Sequence, residues 1–201
     1  MFKVDQTKAV KKIVAIASST GGPKALQTLI PLLPANLNAP VLIVQHMPAG
    51  FTEALAGRLN SLSQIAVKEA GDGDVVMPGQ VYLARGGKHL QVSRSGTRHL
   101  IRYTDEPPRE GVRPCANYMY ESLADCDYGE VICAVLTGMG ADGTAGIKKL
   151  KEKKKVTVFT QNEATCAVYG MPRSAALAGL SEKETTLEQI AQEIIKNVGV
   201  I

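Results

Sequence analysis

The sequence predicts an α/β fold: a doubly wound, mostly parallel sheet with helices on both faces and an antiparallel hairpin excursion. Aromatic residues make up 4% of the chain and Trp is absent, so the core must be aliphatic, as in sheets covered on both faces. Apolar runs rich in β-branched residues alternate with helix-like segments, which is the pattern of βαβ units. The four clearest runs are residues 13–17, 41–44, 131–136 and 156–159.

The length and hydrophobicity of the chain indicate one domain. Its 201 residues, 45% of them hydrophobic, suffice for one sizeable core. Residues 1–12 contain no long apolar run and are predicted to be a linker-like basic stub. We therefore place the folded domain at residues 13–201.

Two helices are predicted at the ends of this domain. Pro23 stands at a plausible first helical position after the first strand. The apolar side chains that follow it, from Ala25 to Leu33, recur at helical spacing. The segment Leu187–Val198 alternates apolar pairs with Glu, Gln and Lys, so it should close the domain as an amphipathic helix.

The pattern changes between Val75 and Tyr103. Short runs such as Q-V-Y-L-A and H-L-I-R-Y are separated there by Gly and Ser-Gly, as in antiparallel hairpins. We expect this excursion to add an edge to the sheet.

Composition excludes several classes of function. The balance of 23 basic against 19 acidic side chains, a net charge of +4, is too even for a nucleic-acid footprint. The four cysteines form no C-x-x-C pair, which favours a reducing compartment without disulfides. No apolar run is long enough for a signal peptide or a membrane span, so we expect a cytoplasmic protein without membrane insertion.

A possible nucleophile follows the first strand. The segment A-S-S-T-G-G-P brings Ser18, Ser19 and Thr20 to a strand-to-helix turn, where sites of open α/β sheets collect. A serine at this turn could attack a substrate. It could equally cap the helix while the glycines permit a tight turn.

A possible general base follows the second strand. The segment V-Q-H-M-P places His46 at a strand end equivalent to that of the serines. Because His89 and His99 fall in the antiparallel excursion, His46 is the natural base. An isolated histidine could also be structural.

The third strand end supplies a carboxylate. In L-T-G-M-G-A-D-G, Asp142 could orient the imidazole of His46, and the backbone amide of Met139 could donate to an oxyanion. Asp142 could instead be the N-cap of the helix that follows.

The same segment supports a competing hypothesis. Gly138, Gly140 and Gly143 spell G-x-G-x-x-G between a strand and a helix, and Glu163 lies 20 residues beyond Gly143. This is the arrangement of a dinucleotide-binding turn with its ribose-binding carboxylate. That interpretation leaves the serine and histidine segments without a role and puts the fingerprint late in the chain.

Four motifs in one order resemble the catalytic domain of chemotaxis protein-glutamate methylesterases, the CheB family. They are S-T-G-G-P, Q-H-M-P, V-L-T-G-M-G-A-D-G and Q-N-E-A-T-C-A-V-Y-G-M-P-R. The resemblance implies that Ser19 is the nucleophile, His46 the base and Asp142 the third member of a triad. It further implies that the amide of Met139 binds the oxyanion, while Thr20 and the segment Gly170–Arg173 line the site.

The resemblance also implies a substrate and partners. Residues 13–201 would form a methylesterase domain that demethylates glutamate γ-methyl esters, and deamidates glutamines, on the cytoplasmic helices of a chemoreceptor. No metal or organic cofactor is expected, and the family usually carries a phosphorylatable receiver domain before this one. A module that binds the receptor without catalysis remains a third hypothesis.

Other residues near the motifs have simpler expected roles. Cys115 and Cys166 are predicted to pack rather than react, because neither lies on a strand-to-helix turn. The basic side chains of Lys24, Arg113 and Arg173 could contact an acidic surface, but each is expected to be solvated or ion-paired.

Overall fold

A computed structural model describes residues 11–201 of the chain. The strands are β1 Lys12–Ser18, β2 Val41–Gln45, β3 Ala66–Glu69, β4 Gln80–Leu83, β5 His89–Ser95, β6 Arg98–Thr104, β7 Glu130–Val135, β8 Lys155–Gln161 and β9 Lys183–Thr185. The α-helices are α1 Gly22–Leu29, α2 Thr52–Leu62, α3 Ala116–Leu123, α4 Thr144–Lys153, α5 Met171–Leu177 and α6 Leu187–Val198. Short 3₁₀ turns occupy Ile30–Leu32 and Glu163–Thr165.

The main sheet confirms the predicted α/β class. Its seven strands run in parallel in the order β3-β4-β2-β1-β7-β8-β9. The central strand β1 pairs with β2 and β7, with Ser18 opposite Gln45 and Ala17 opposite Val135. Because the strands are parallel, the loops that follow β1, β2 and β7 meet at one edge of the sheet.

Side chains of the central strand alternate between two apolar cores. Ile13, Ala15 and Ala17 belong to the core beneath α3, α4 and α5, while Val14 and Ile16 belong to the core beneath α1, α2 and α6. This alternation is the period-2 geometry of a strand covered on both faces.

The antiparallel excursion is only partly as predicted. The Q-V-Y-L run is β4, a parallel strand inside the main sheet, and not part of a hairpin. The hairpin is formed by β5 and β6, which make a separate two-stranded sheet and add no edge to the main one. It packs on α3 instead, where Val92 N donates to Ser122 Oγ at 2.9 Å.

The two ends of the domain agree with the sequence patterns. Helix α6 spans the predicted Leu187–Val198, and Pro23 lies in the first turn of α1. The domain start at residue 13 stays a prediction, because residues 1–10 of the stub lie outside the described residues and Lys12 already belongs to β1. Within residues 11–201, no helix is long and apolar enough to cross a membrane.

Candidate active site

The two serines at the end of β1 have different environments. Ser18 is fully buried, and its hydroxyl donates to Gln45 Oε1 at 2.7 Å. Ser19 is half-buried and lies on the turn itself, where its carbonyl accepts from Gly22 N at 2.8 Å. Of the two serines, Ser19 is therefore the one that is accessible to solvent after β1.

Gln45 joins the serine turn to the histidine loop. Its Nε2 lies 2.9 Å from the carbonyl of Ser19 and 3.1 Å from that of His46. The neighbouring backbone bond, from His46 N to Ser18 O at 3.0 Å, continues the β1–β2 ladder to this point. The Gln of Q-H-M-P thus positions both turns, a role that the sequence did not reveal.

His46 and Asp142 form a buried pair. His46 Nε2 lies 2.7 Å from Asp142 Oδ2, with side chains that are 9% and 3% exposed. Since a carboxylate can only accept, Nε2 carries a proton, and in the neutral imidazole the free lone pair is therefore on Nδ1. Within the described part of the chain, Nδ1 is buried and has no hydrogen-bond partner. This arrangement leaves Nδ1 as the basic atom of the imidazole.

Asp142 is held by donors from a distant helix. Its Oδ1 accepts from Cys115 Sγ at 3.0 Å and from Asn117 N at 2.9 Å, and its Oδ2 also accepts from Ala116 N at 2.6 Å. Burial alone would raise the pKa of Asp142, but bonds from His46, Cys115 and Ala116 outweigh it and lower that pKa. The carboxylate is thereby kept ionised beside the imidazole.

Asp142 is not the N-cap of the helix that follows it, which was one expectation. Gly143 occupies that position, and Asp142 binds the first amides of α3 instead. Asn117 returns the interaction, because its Oδ1 accepts from Gly143 N at 3.1 Å and from Gly146 N at 2.7 Å. The starts of α3 and α4 therefore cap each other.

The loop after β7 approaches Ser19 through a glycine. A Cβ on Gly138 would lie 2.7 Å from Ser19 Cβ and 2.4 Å from Met171 Sδ, so only glycine fits without displacement. The next residue, Met139, is 74% exposed, and its amide makes no backbone hydrogen bond within residues 11–201. That amide is available to a ligand at this edge.

Thr137 ties three loops of the site together. Its Oγ1 lies 2.9 Å from the carbonyl of Thr20 and accepts from Val168 N at 3.0 Å. Gln161 supports it, since Gln161 Oε1 accepts from Thr137 N at 2.8 Å. Both residues stand in quoted motifs, but no role could be assigned to them from the sequence.

The segment Gly170–Arg173 pairs with the loop after β7. The amides of Gly170 and Met171 donate to the carbonyl of Gly138 at 3.0 and 2.8 Å. A Cβ on Gly170 would meet that carbonyl oxygen at 2.7 Å. The segment therefore forms one wall beside Ser19, and Arg173 is exposed on it.

The geometry does not support a dinucleotide cradle at Gly138–Gly143. Such a cradle uses free amides at the helix N-terminus to bind pyrophosphate. Here the amide of Gly143 is bound by Asn117, and the buried carboxylate of Asp142 would repel an anion. Glu163 belongs to a 3₁₀ turn outside this network.

A cavity of about 230 Å³ opens beside the histidine. It is lined by His46, Met47, Pro48, Val112 and Arg113. Arg113 forms no ion pair within residues 11–201 and reaches only the carbonyls of Asp105 and Glu106. The same residues contain no cluster of three or more His, Cys, Asp or Glu side chains that could hold a metal ion.

The chain is similar to known proteins of one family. A family model described as CheB methylesterase matches residues 14–194. Two similar proteins named protein-glutamate methylesterase/protein-glutamine glutaminase come from Halalkalibacterium halodurans, 46% identical over 186 residues, and Geobacillus kaustophilus, 47% identical over 187 residues. These alignments cover 92% and 93% of this chain but 54% of each relative, so the chain spans about half the length of the relatives.

A solved structure has the same fold. The catalytic domain of the Thermotoga maritima CheB methylesterase superposes with a TM-score of 0.90 at 40% sequence identity. The match covers 94% of this chain and 99% of that domain.

Proposed function

Because the chain belongs to the CheB methylesterase family, we propose that it is a serine esterase that hydrolyses γ-methyl esters of glutamate side chains in a partner protein. The observation that carries the proposal is the buried pair of His46 and Asp142 at 2.7 Å, which occupies Nε2 of His46 and leaves Nδ1 without a partner among the described residues. A base in this state is what a serine needs in order to become a nucleophile.

Ser19 is the proposed nucleophile. It directly follows Ser18, which pairs with Gln45, so Ser19 and His46 extend adjacent strands at the same level of the sheet. The hydroxyl of Ser18 is engaged with Gln45 Oε1 and fully buried. These contacts favour Ser19 over its neighbour.

The first half of the reaction forms an acyl-enzyme. Ser19 Oγ attacks the ester carbonyl while His46 Nδ1 takes its proton, and Asp142 stabilises the resulting imidazolium through Nε2–H. The tetrahedral oxyanion accepts a hydrogen bond from the amide of Met139. The imidazolium then returns the proton to the methoxy oxygen, and methanol leaves.

The second half regenerates the enzyme. Water gives a proton to His46 Nδ1 and attacks the acyl carbon; the intermediate then collapses, the imidazolium returns the proton to Ser19 Oγ, and the released glutamic acid ionises to its carboxylate. A glutamine side chain would follow the same steps with ammonia leaving instead of methanol, as the double name of the relatives suggests for those proteins. The scheme requires no cofactor.

The partner is the cytoplasmic region of a chemoreceptor, and the protein acts in the cytoplasm. This part of the proposal rests on family membership, as does a receiver domain in proteins of full family length. The curated relatives are about twice as long as the matched region, which leaves room for such a domain in them.

Methanol release from methylated receptor fragments tests the proposal. The wild type should release methanol, Ser19→Ala should release none above background, and Ser18→Ala should keep most of the activity. Circular dichroism and thermal unfolding would show that both variants are folded.

Two results would reject the esterase. No release from any methylated receptor, together with retained binding to the receptor, would leave the non-catalytic binding module. Full activity of Ser19→Ala would show that another group attacks the ester.

A further inference from the structure

We propose that Cys115 is a positioning residue of this active site: its thiol donates to Asp142 Oδ1 and holds the carboxylate so that Oδ2 faces His46. The inference rests on the proposed function, in which Asp142 orients the base. The sequence pattern predicted only a packing role for Cys115.

The thiol contacts the oxygen that His46 does not use. Cys115 Sγ lies 3.0 Å from Asp142 Oδ1, and His46 Nε2 lies 2.7 Å from Oδ2. Each oxygen also accepts from a backbone amide, Oδ1 from Asn117 N at 2.9 Å and Oδ2 from Ala116 N at 2.6 Å. The thiol adds a side-chain donor on Oδ1, and together with Asn117 N it opposes rotation of the carboxylate about its bond to Cβ. In a buried site a weak S–H donor is stronger than in water.

The thiol is kept in its donor form. Cys115 is fully buried. Burial, with added effects from the charge and the hydrogen bond of Asp142, raises the pKa of Cys115 to about 12. A thiolate beside Asp142 is therefore disfavoured, and Cys115 is no competing nucleophile.

A buried histidine fixes the backbone that carries this thiol. Cys115 N donates to His89 Nδ1 at 3.2 Å, and His89 Nε2 donates to the carbonyl of Pro107 at 3.1 Å. These two partners define the tautomer of His89, because Nδ1 accepts from an amide and the proton must then be on Nε2, which faces a carbonyl. The start of α3 is thereby anchored to the hairpin and to the loop that follows it.

Three variants separate donation from packing. Cys115→Ala removes both the donor and the sulfur, and Cys115→Ser removes the sulfur but keeps a donor. Cys126→Ala is the matched control, because Cys126 is also buried and the partners of its thiol among residues 11–201 are the carbonyls of Val92 and Ser122.

The kinetic expectation is a change in kcat. Cys115→Ala should lower kcat about tenfold, the usual scale for one hydrogen bond to a charged group, with KM nearly unchanged. Cys115→Ser should stay within about threefold of wild type, and Cys126→Ala should match it. Equal losses in the Ala and Ser variants of Cys115 would overturn the inference in favour of packing.

A second readout does not depend on catalysis. With labelled imidazoles, the NMR titration midpoint of His46 should fall in Cys115→Ala, because a carboxylate that can rotate away from Nε2 stabilises the imidazolium less. Cys115→Ser keeps a donor to Oδ1 and should keep the midpoint of wild type, which tests the inference even if the Ala variant does not fold. An unchanged midpoint in folded Cys115→Ala, or a fall of the midpoint in Cys115→Ser, would overturn it.

The two readouts also separate this inference from the proposed function. A wild type that releases no methanol refutes the esterase but leaves the NMR titration to judge Cys115. Normal release by the wild type with an unaffected Cys115→Ala refutes the positioning role alone.

Discussion

The turn after β1 and the turn after β7 are both glycine-rich connections from a parallel strand to a helix, yet they are held in different ways. The turn at Ser19 is fixed by its neighbours in the sheet, through the side chain of Gln45 on the adjacent strand. The turn at Asp142 is fixed by α3, through the thiol and amides of residues 115–117.

This difference predicts how the two turns respond to substitution. Ser19 contributes a half-buried hydroxyl, so its loss should affect chemistry alone. Asp142 is both the partner of His46 and the cap of α3, so its loss should affect chemistry and stability together. Substitution at the turn of Ser19 should therefore change activity without changing stability, whereas substitution at Asp142 should change both.

The largest expected effect is that of Asp142→Asn. The amide would favour the wrong tautomer of His46, and the corresponding change in the triad of a serine protease lowers kcat about 10⁴-fold. Unlike that case, an amide nitrogen would also face one of the donors from α3, which should cost about 1–3 kcal/mol of stability. Methanol-release kinetics and urea unfolding measure the two effects. An unfolding midpoint equal to that of wild type would show that Asp142 does not stabilise the start of α3.

A smaller effect is expected from Gly138→Ala. The added methyl group would overlap Ser19 Cβ and Met171 Sδ, so it should displace the nucleophile and lower kcat about 100-fold. Gly57→Ala is the control, since Gly57 lies in α2 and, apart from the backbone of that helix, no atom of residues 11–201 lies within 4 Å of the added Cβ. That variant should keep full activity and gain up to about 1 kcal/mol of stability from helix propensity.

Asn117→Ala tests the reciprocal capping of α3 and α4. Two amides, those of Gly143 and Gly146, would lose their acceptor, at a cost of about 2 kcal/mol in the free energy of unfolding. Equal stability of Asn117→Ala and wild type in urea would show that the two helix starts are independent.

The smallest effect is a dependence of stability on pH. Asp142 has a lowered pKa in the folded protein, so the unfolded chain takes up its proton first as the pH falls. The stabilisation is therefore present above the unfolded pKa of about 4 and is lost on further acidification through the folded value. Urea unfolding from about pH 6 to about pH 3 should show a smaller decline for Asp142→Asn than for wild type; equal declines would assign the acid sensitivity to other carboxylates.

The sequence was informative where a local rule decides the structure. Apolar runs that alternate with helix-like segments correctly predicted β1, β2, β7 and β8. The polar residues that follow three of these runs gave the candidate site residues Ser19, His46 and Asp142. It was less informative where distant segments meet. The donors to Asp142 lie about 25 residues away on another helix, and no spacing rule connects them.

The same limit explains the misassigned strand. The Q-V-Y-L run has the alternation of a hairpin strand, but Val81 and Leu83 are buried in one core and Tyr82 in the other. Its parallel pairing with β2 depends on packing from both faces. The edge strands β3 and β9, at four and three residues, are too short to carry a pattern.

Mapping the covalent adduct of a serine-directed phosphonate tests most directly whether Ser19 is the activated nucleophile. We predict a single adduct on Ser19, formed in wild type and Ser18→Ala and absent from Ser19→Ala, because Nδ1 of His46 activates only the hydroxyl presented at the edge of the sheet. An adduct on Ser18, or labelling that persists in Ser19→Ala, would contradict this assignment.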